Sequence, residues 1–300
     1  MNRYVLLVAL GAVCYGTLTS FAKIAYGEGY LAGEITFAQA SLGAILLWLL
    51  ALLANIKAGK KGLAFDYKLI LAGATMGCSA YCFYLSVSYI PVSLAIVLLM
   101  QVSWISALAE YLVFKKPVSG VQLAAMAGII AGTVLAGDII HLQSLHISVV
   151  GVVLALAGAC FYTMYVLCTS KLGNNLSKLE KSALMTTGSA LMILLINLPA
   201  LKGNVHLDAG LLKWGLYLAV FGTVIPPICF TTGMPKIGPA LSAVLLTLEL
   251  PSVVLSAHLI LHEPVTLLQI LGILLMMGAI IFLNLPKDKS YADKVVLSTE

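Results

Sequence analysis

Ten stretches of this chain are apolar and long enough to cross a bilayer, and the last five repeat the first five at an offset of about 147 residues. A spanning helix needs about 20 apolar residues, each adding ~1.5 Å against a hydrocarbon core of ~30 Å. Ten such helices use about two thirds of the chain and leave only short loops. The composition agrees: 61% of residues are hydrophobic and 10% charged, against roughly 45–50% and 25% in soluble domains. The spans read as residues 4–26, 31–54, 67–88, 91–114, 119–138, 148–170, 179–200, 211–234, 237–261 and 265–284. Runs such as 94–100 and 271–281 are apolar all round, whereas a membrane β-barrel would alternate over segments of about ten residues. The first span is too long for a secretory signal, carries Lys23, and lacks a cleavage motif, so it is expected to be retained.

Basic residues near span ends stay cytoplasmic. With the amino terminus inside, Arg3, Lys57, Lys60, Lys61, Lys68, Lys115, Lys116, Lys171, Lys178, Lys181, Lys236, Lys287, Lys289 and Lys294 lie inside, fourteen of the seventeen, against Lys23, Lys202 and Lys213 in or beyond the outer half. Both termini are therefore expected in the cytoplasm, in a cytoplasmic or inner membrane. The net charge of +5 reflects topology. Scattered over several loops, these lysines do not make a nucleic-acid face.

Residues 90–122 read IPVSLAIVLLMQVSWISALAEYLVFKKPVSGVQ, and residues 237–269 read IGPALSAVLLTLELPSVVLSAHLILHEPVTLLQ. Val97 and Val244, Leu112 and Leu259, Pro117 and Pro264, and Gln122 and Gln269 coincide without a gap, as do Cys82-Phe83 and Cys229-Phe230. An odd number of crossings per unit turns the second copy upside down. That is the arrangement in which secondary transporters hold a solute near the midplane. The predicted fold is thus an all-α integral membrane protein of ten transmembrane helices in two inverted five-helix repeats, residues 1–144 and 145–285, with a cytoplasmic tail at 286–300.

This pattern resembles the EamA-type branch of the drug/metabolite transporter superfamily, from about residue 4 to 285. Its most specific elements are the ninth span, where Glu249 and Glu263 stand fourteen apart, then Pro264 and the run GILLMMGAIIF of the tenth. Two departures are visible. Lys116 stands where the first copy usually has an end-of-helix glutamate, and Leu250 separates Glu249 from Pro251 where Glu-Pro is usual. The resemblance implies ten helices in two inverted units and export or exchange of small metabolites, such as amino acids, or of drugs.

Ionisable groups at membrane depth cost roughly 2.5–3.5 kcal/mol on insertion scales and usually face a bundle interior or a wet cavity. Ser242, Glu249, Ser252, Ser256 and Glu263 fall along one helix face. That face either lines a path, with Glu249 as a proton-carrying or amine-binding group, or braces neighbouring helices. Lys23, on a face with Gly16, Thr19 and Ser20, either approaches the interior or snorkels outward. Glu34 and Gln39 near the outer end of the second span could pair with Lys23 as an outer gate, or Glu34 is merely hydrated. Gly158, Tyr162, Tyr165 and Thr169 share one stripe, and Cys78, Tyr81, Leu85 and Ser88 another. Tyrosine combines an apolar face with one polar tip, which suits a mixed-character substrate as well as plain packing. Gln101 and Trp104 of the fourth span are further binding candidates, although Gln101 could simply bridge helices. Glu110 reads as a surface partner of Lys115, and His258 as a lone histidine near the outer end.

Pro226 and Pro227 sit mid-span, where each removes a donor and clashes with the preceding turn. A kink is expected there, as a cavity wall or hinge. The six cysteines all fall within spans, without metal or redox spacing. No cofactor, metal site or catalytic set is predicted; the expected partners are a small-molecule substrate and the bilayer, with a coupling proton left open. The leading expectation is a secondary carrier of a small organic solute working by alternating access. A channel is the alternative, and an intramembrane enzyme would need paired catalytic groups that the spans lack.

Overall fold

The computed structural model describes residues 3–59, 65–87, 89–90, 92–115, 119–136, 148–198, 208–262 and 265–284. The repeat boundary near residue 144, the tail from 286, and Ser88, Lys116 and Glu263 lie outside the described residues. All regular structure among the described residues is helical, as lipid demands of a chain that must satisfy its backbone internally. The helices are α1 (Arg3–Gly27), α2 (Ala32–Lys57), α3 (Tyr67–Val87), α4 (Val92–Leu99), α5 (Val102–Phe114), α6 (Gly120–Ala136), α7 (Val149–Lys171), α8 (Lys178–Asn197), α9 (Ala209–Leu218), α10 (Ile225–Ile237), α11 (Pro239–Leu246), α12 (Glu249–Leu261) and α13 (Leu267–Asn284). A π-helical segment, Ala219–Val224, joins α9 to α10.

These helices make ten spans, with α4–α5 as the fourth, α9–α10 as the eighth and α11–α12 as the ninth. The protein is an all-α membrane protein of two inverted five-helix repeats. The packing shows the symmetry directly. Exchanging each span for its counterpart five places on turns the α3–α7 contact into that of α1 with α10, α3–α8 into α2 against the eighth span, and α5–α7 into α1–α12. The α2–α8 and α6–α13 contacts map onto themselves. Local devices repeat as well. Glu34 accepts from the Leu31 amide at 2.9 Å and Glu180 from the Ser177 amide at 3.3 Å, each carboxylate covering an orphan donor at a helix start. Ser119 with Gln122, and Thr266 with Gln269, form reciprocal caps 147 residues apart.

The fourth and ninth spans are not the continuous helices that their hydropathy predicts. Both break at the same repeat position, between Leu99 and Val102 and between Leu246 and Glu249. There the ladder tightens to three-residue bonds, Gln101 N to Leu98 O (3.2 Å) and Leu248 N to Leu245 O (3.2 Å). In the ninth span Pro251 has no amide for the Thr247 carbonyl, which takes the Leu250 amide instead at 3.2 Å. In the eighth span the expected disturbance takes the form of the π segment. Pro226 and Pro227 open α10, and the Ile225 amide reaches back five residues to the Val220 carbonyl.

Glu110 corrects its reading as a surface partner of Lys115. It is buried, and its Oε2 accepts from the Ala240 amide at 3.0 Å. Gly238 and Pro239 start α11 without a side-chain cap, so a carboxylate from α5 fills that role. The repeat-equivalent residues Lys115 (φ 54°) and His262 (φ 55°) end α5 and α12 in the left-handed region. A side chain there costs about 1–2 kcal/mol relative to the right-handed form, which glycine avoids. Lys115→Gly and His262→Gly are each expected to stabilise the fold by about 0.5–1 kcal/mol, net of glycine's greater chain entropy. Thermal melts of purified protein check this; a lowered midpoint in both variants contradicts it.

Candidate functional site

A cavity of about 610 Å³ lies between the two repeats. Its floor is at mid-span, where Tyr15, Tyr162, Tyr165, Met185 and Glu249 meet, and its walls reach Tyr26, Gly33 and Asn197 at the helix ends opposite the amino terminus. On the amino-terminal side the same helices are closed by the main core, in which Val5, Val8, Leu69, Ala72, Leu184 and Met234 pack together. Buried polar contacts reinforce that closure. Lys181 is fully buried and donates to the Thr169 carbonyl (2.6 Å) and to Asn174 Oδ1 (2.9 Å). Asn55 of α2 donates to Glu180 of α8 at 2.9 Å, tying one repeat to the other.

The lining is mostly apolar and aromatic. Among the described lining residues Glu249 is the one acidic side chain, and none is lysine, arginine or histidine. Glu249 occupies the first turn of α12, immediately after the ninth-span break, and is half-buried. Among the described residues its carboxylate has no hydrogen-bond or ion-pair partner. Tyr15 and Tyr162 lie within its electrostatic reach. The Tyr162 hydroxyl is itself buried without a partner among the described residues, beside the Tyr165 ring at 6.3 Å between centroids. Glu249 thus gives the lining a half-buried carboxylate without a protein partner among the described residues, while the Tyr162 hydroxyl is closed off from the chamber.

Of the residues singled out by sequence, Glu249, Tyr81, Leu85, Tyr162, Tyr165, Thr19, Gln39 and Pro227 line the cavity. Gln39 donates to Thr223 Oγ1 at 3.2 Å, linking α2 to the π segment packed beside it, across the repeat boundary. Pro226 is buried beside it, outside the lining. Ser252 and Ser256 are elsewhere. α1 crosses α12 at Gly16, where an added Cβ would meet the Glu249 carbonyl and Ser252; Ser252 bonds back to the Leu248 carbonyl (2.8 Å), and Ser256 pairs with Ser20 (2.9 Å). Ser242 is likewise buried, bonding the Gly238 carbonyl at 2.6 Å. Gln101 and Trp104 bond each other along α5 (2.8 Å), and neither is a lining residue. Lys23 and His258 are exposed, and Lys23 is not in the lining. Glu34 is 3% exposed, not hydrated, because it caps α2.

The sequence reading passed over Tyr15, Tyr26, Thr36, Asn197 and Thr223. A signal for the first two existed: Tyr15, Leu18, Thr19, Ala22 and Tyr26 recur at helical spacing on one face of α1. Around the mouth, Trp214 Nε1 donates to Glu28 Oε2 (2.6 Å), and the Tyr30 hydroxyl donates to Asp208 Oδ1 (2.8 Å). That bond to a carboxylate holds the Tyr30 phenol above its ordinary pKa, so the phenol keeps its proton through neutral pH.

A model of the EamA-like transporter family matches the chain twice, over residues 2–137 and 149–285. A solved structure titled "Crystal structure of protein" superposes on 95% of this chain and 99% of its own with a TM-score of 0.77 at 15% identity, a likeness of fold. No curated protein matches the sequence.

Proposed function

Because the chain belongs to the EamA-like transporter family, we propose that it exports or exchanges a small organic metabolite by exposing one central cavity to alternate faces of the membrane. It is a multi-pass membrane transporter; the finer reading rests on the one-sided chamber. A space of about 610 Å³ falls within the roughly 300–1,000 Å³ of small-molecule sites, and it is walled by both repeats. The core on the amino-terminal side closes it at one end only. Rocking one repeat against the other would part the Asn55–Glu180 contact and close the mouth lined by Tyr26, Gly33 and Asn197. The tightened turns at 100–101 and 247–248 and the π segment supply paired and unpaired places to bend. Gln39 and Thr223, bonded across the two repeats, join them at the wall of the open side. Glu249 would bind a substrate amine or carry a coupling proton.

With both termini in the cytoplasm, as the lysine distribution supports, the cavity faces outward. In a background with the native cysteines replaced, Thr36→Cys is expected to react with a membrane-impermeant thiol reagent from the outer face. Ala72→Cys, in the closed core, is expected to stay unreactive until solute on the inner side draws the carrier into its other state. Equal labelling of both positions from one face would remove alternating access. Saturable counterflow in proteoliposomes is the accompanying transport result, and stepwise single-molecule conductance would replace the carrier by a channel.

A further inference from the structure

We infer that the cavity selects an organic monocation: an amine or quaternary ammonium on an apolar body of about the size of one aromatic ring, without a carboxylate. The inference deepens the carrier reading and rests on it for movement but not for binding. Its basis is a charge imbalance. Glu249 faces the chamber from mid-depth and finds no ion-pair or hydrogen-bond partner among the described residues, while no lining residue described is a cation. A cationic ligand supplies the missing charge in a low-dielectric space, where an unpaired ion is costly.

The same lining rejects an anion. A ligand carboxylate would sit opposite Glu249 with no basic side chain to receive it. Broken helices often offer an anion their free amides, but here several of those donors are already engaged. The Leu250 amide bonds the Thr247 carbonyl, the Ser252 amide bonds the Leu248 carbonyl, and Pro251 has no donor. In the counterpart break the Ser103 and Ile105 amides bond Met100 and Gln101. Zwitterions are therefore disfavoured along with anions.

Aromatic rings complete the match. Tyr15 lies near the carboxylate, and Tyr26 and Tyr81 stand further up the walls, while Tyr162 (2% exposed) and Tyr165 (3% exposed) are almost wholly buried in the floor. Tyrosine faces attract cations, most strongly when water is excluded, and the same faces accept an apolar ring. Ser79, a neutral polar group of the lining, is already committed to the Gly158 carbonyl at 2.9 Å, and Gln39 to Thr223. They add little for a carboxylate.

The test compares four solutes of one body: 2-phenylethylamine, phenylalanine, phenylacetate and 2-phenylethanol. Affinity is measured by thermal shift and calorimetry on the purified, full-length protein. The amine is expected to bind at least tenfold more tightly than the other three. Glu249→Gln is expected to weaken the amine at least tenfold and leave 2-phenylethanol unchanged, with Glu249→Asp between wild type and Gln. Phenylalanine or phenylacetate matching the amine overturns the inference, as does wild-type amine affinity in Glu249→Gln, and so does no binding of any of the four. Should Glu249→Gln not remain monodisperse, the wild-type ranking together with weakened amine binding in Tyr81→Ala decides. The two readings fail separately. Counterflow of phenylalanine without amine binding sinks this inference and keeps the carrier; Glu249-dependent amine binding without flux of any solute does the reverse.

Discussion

Proteoliposomes containing Glu249→Gln are expected to transport solute with kcat/KM lowered about 10- to 100-fold, at normal folded yield. The substitution keeps shape and removes the charge, so packing around α12 is preserved. Hydrogen bonds to charged groups contribute about 1.5–3 kcal/mol, and tenfold corresponds to about 1.4 kcal/mol, which sets the range. Glu249 has no partner among the described residues whose loss would unfold the site, and it stands in the lining of the cavity. A brace between helices would give the opposite result: a lower thermal midpoint with flux per folded molecule intact. Unchanged flux takes Glu249 out of the mechanism altogether.

Gly188→Val is expected to abolish the folded, monodisperse protein. α3 and α8 meet at two reciprocal glycines, so that a Cβ on Gly188 would press on the Ile70 carbonyl and one on Gly73 on the Met185 carbonyl. Both obstacles are backbone, which no rotamer change relieves. Overpacking a dense interior costs about 1–3 kcal/mol even when side chains yield, and separating two helices adds the loss of their interface. Because these helices also wall the cavity, partial accommodation would distort Met185 and Gly77 in its lining. Gly278→Ala is the matched control, since nothing lies within 4 Å of a Cβ placed there. Wild-type size-exclusion profile and melting point for Gly188→Val would show that the crossing is looser than described.

The ten spans were legible because lipid burial writes itself into length and composition, and α1, α2 and α7 fall within a few residues of the runs that predict them. The breaks were not. At Met100 and Gln101 the residues carry no turn chemistry, and the change is a matter of which carbonyl an amide reaches; Pro251, inside the 237–261 run, held a signal for the ninth span that hydropathy passed over. For the site, helical spacing placed Glu249 and Ser256 on one face, as the geometry of a single helix requires. What spacing does not contain is the neighbour: α1 crosses at Gly16 and Ser20 and covers Ser252 and Ser256, leaving Glu249 at the chamber. Glu110 was misread for a related reason, because a carboxylate near a span end looks exposed until the helix start that needs it is known; Glu34, left open between a gate and hydration, likewise caps a helix start.

Val102, fully buried, occupies the position in the first repeat that Glu249 holds in the second. The two halves thus share the break in this span but not its chemistry. If the halves trade postures during a cycle, the polar end of a cargo stays with the second half throughout, while the first half contributes only contour. Polarity of grip is then built into a frame whose broken spans are paired, and a passenger would enter and leave without turning around.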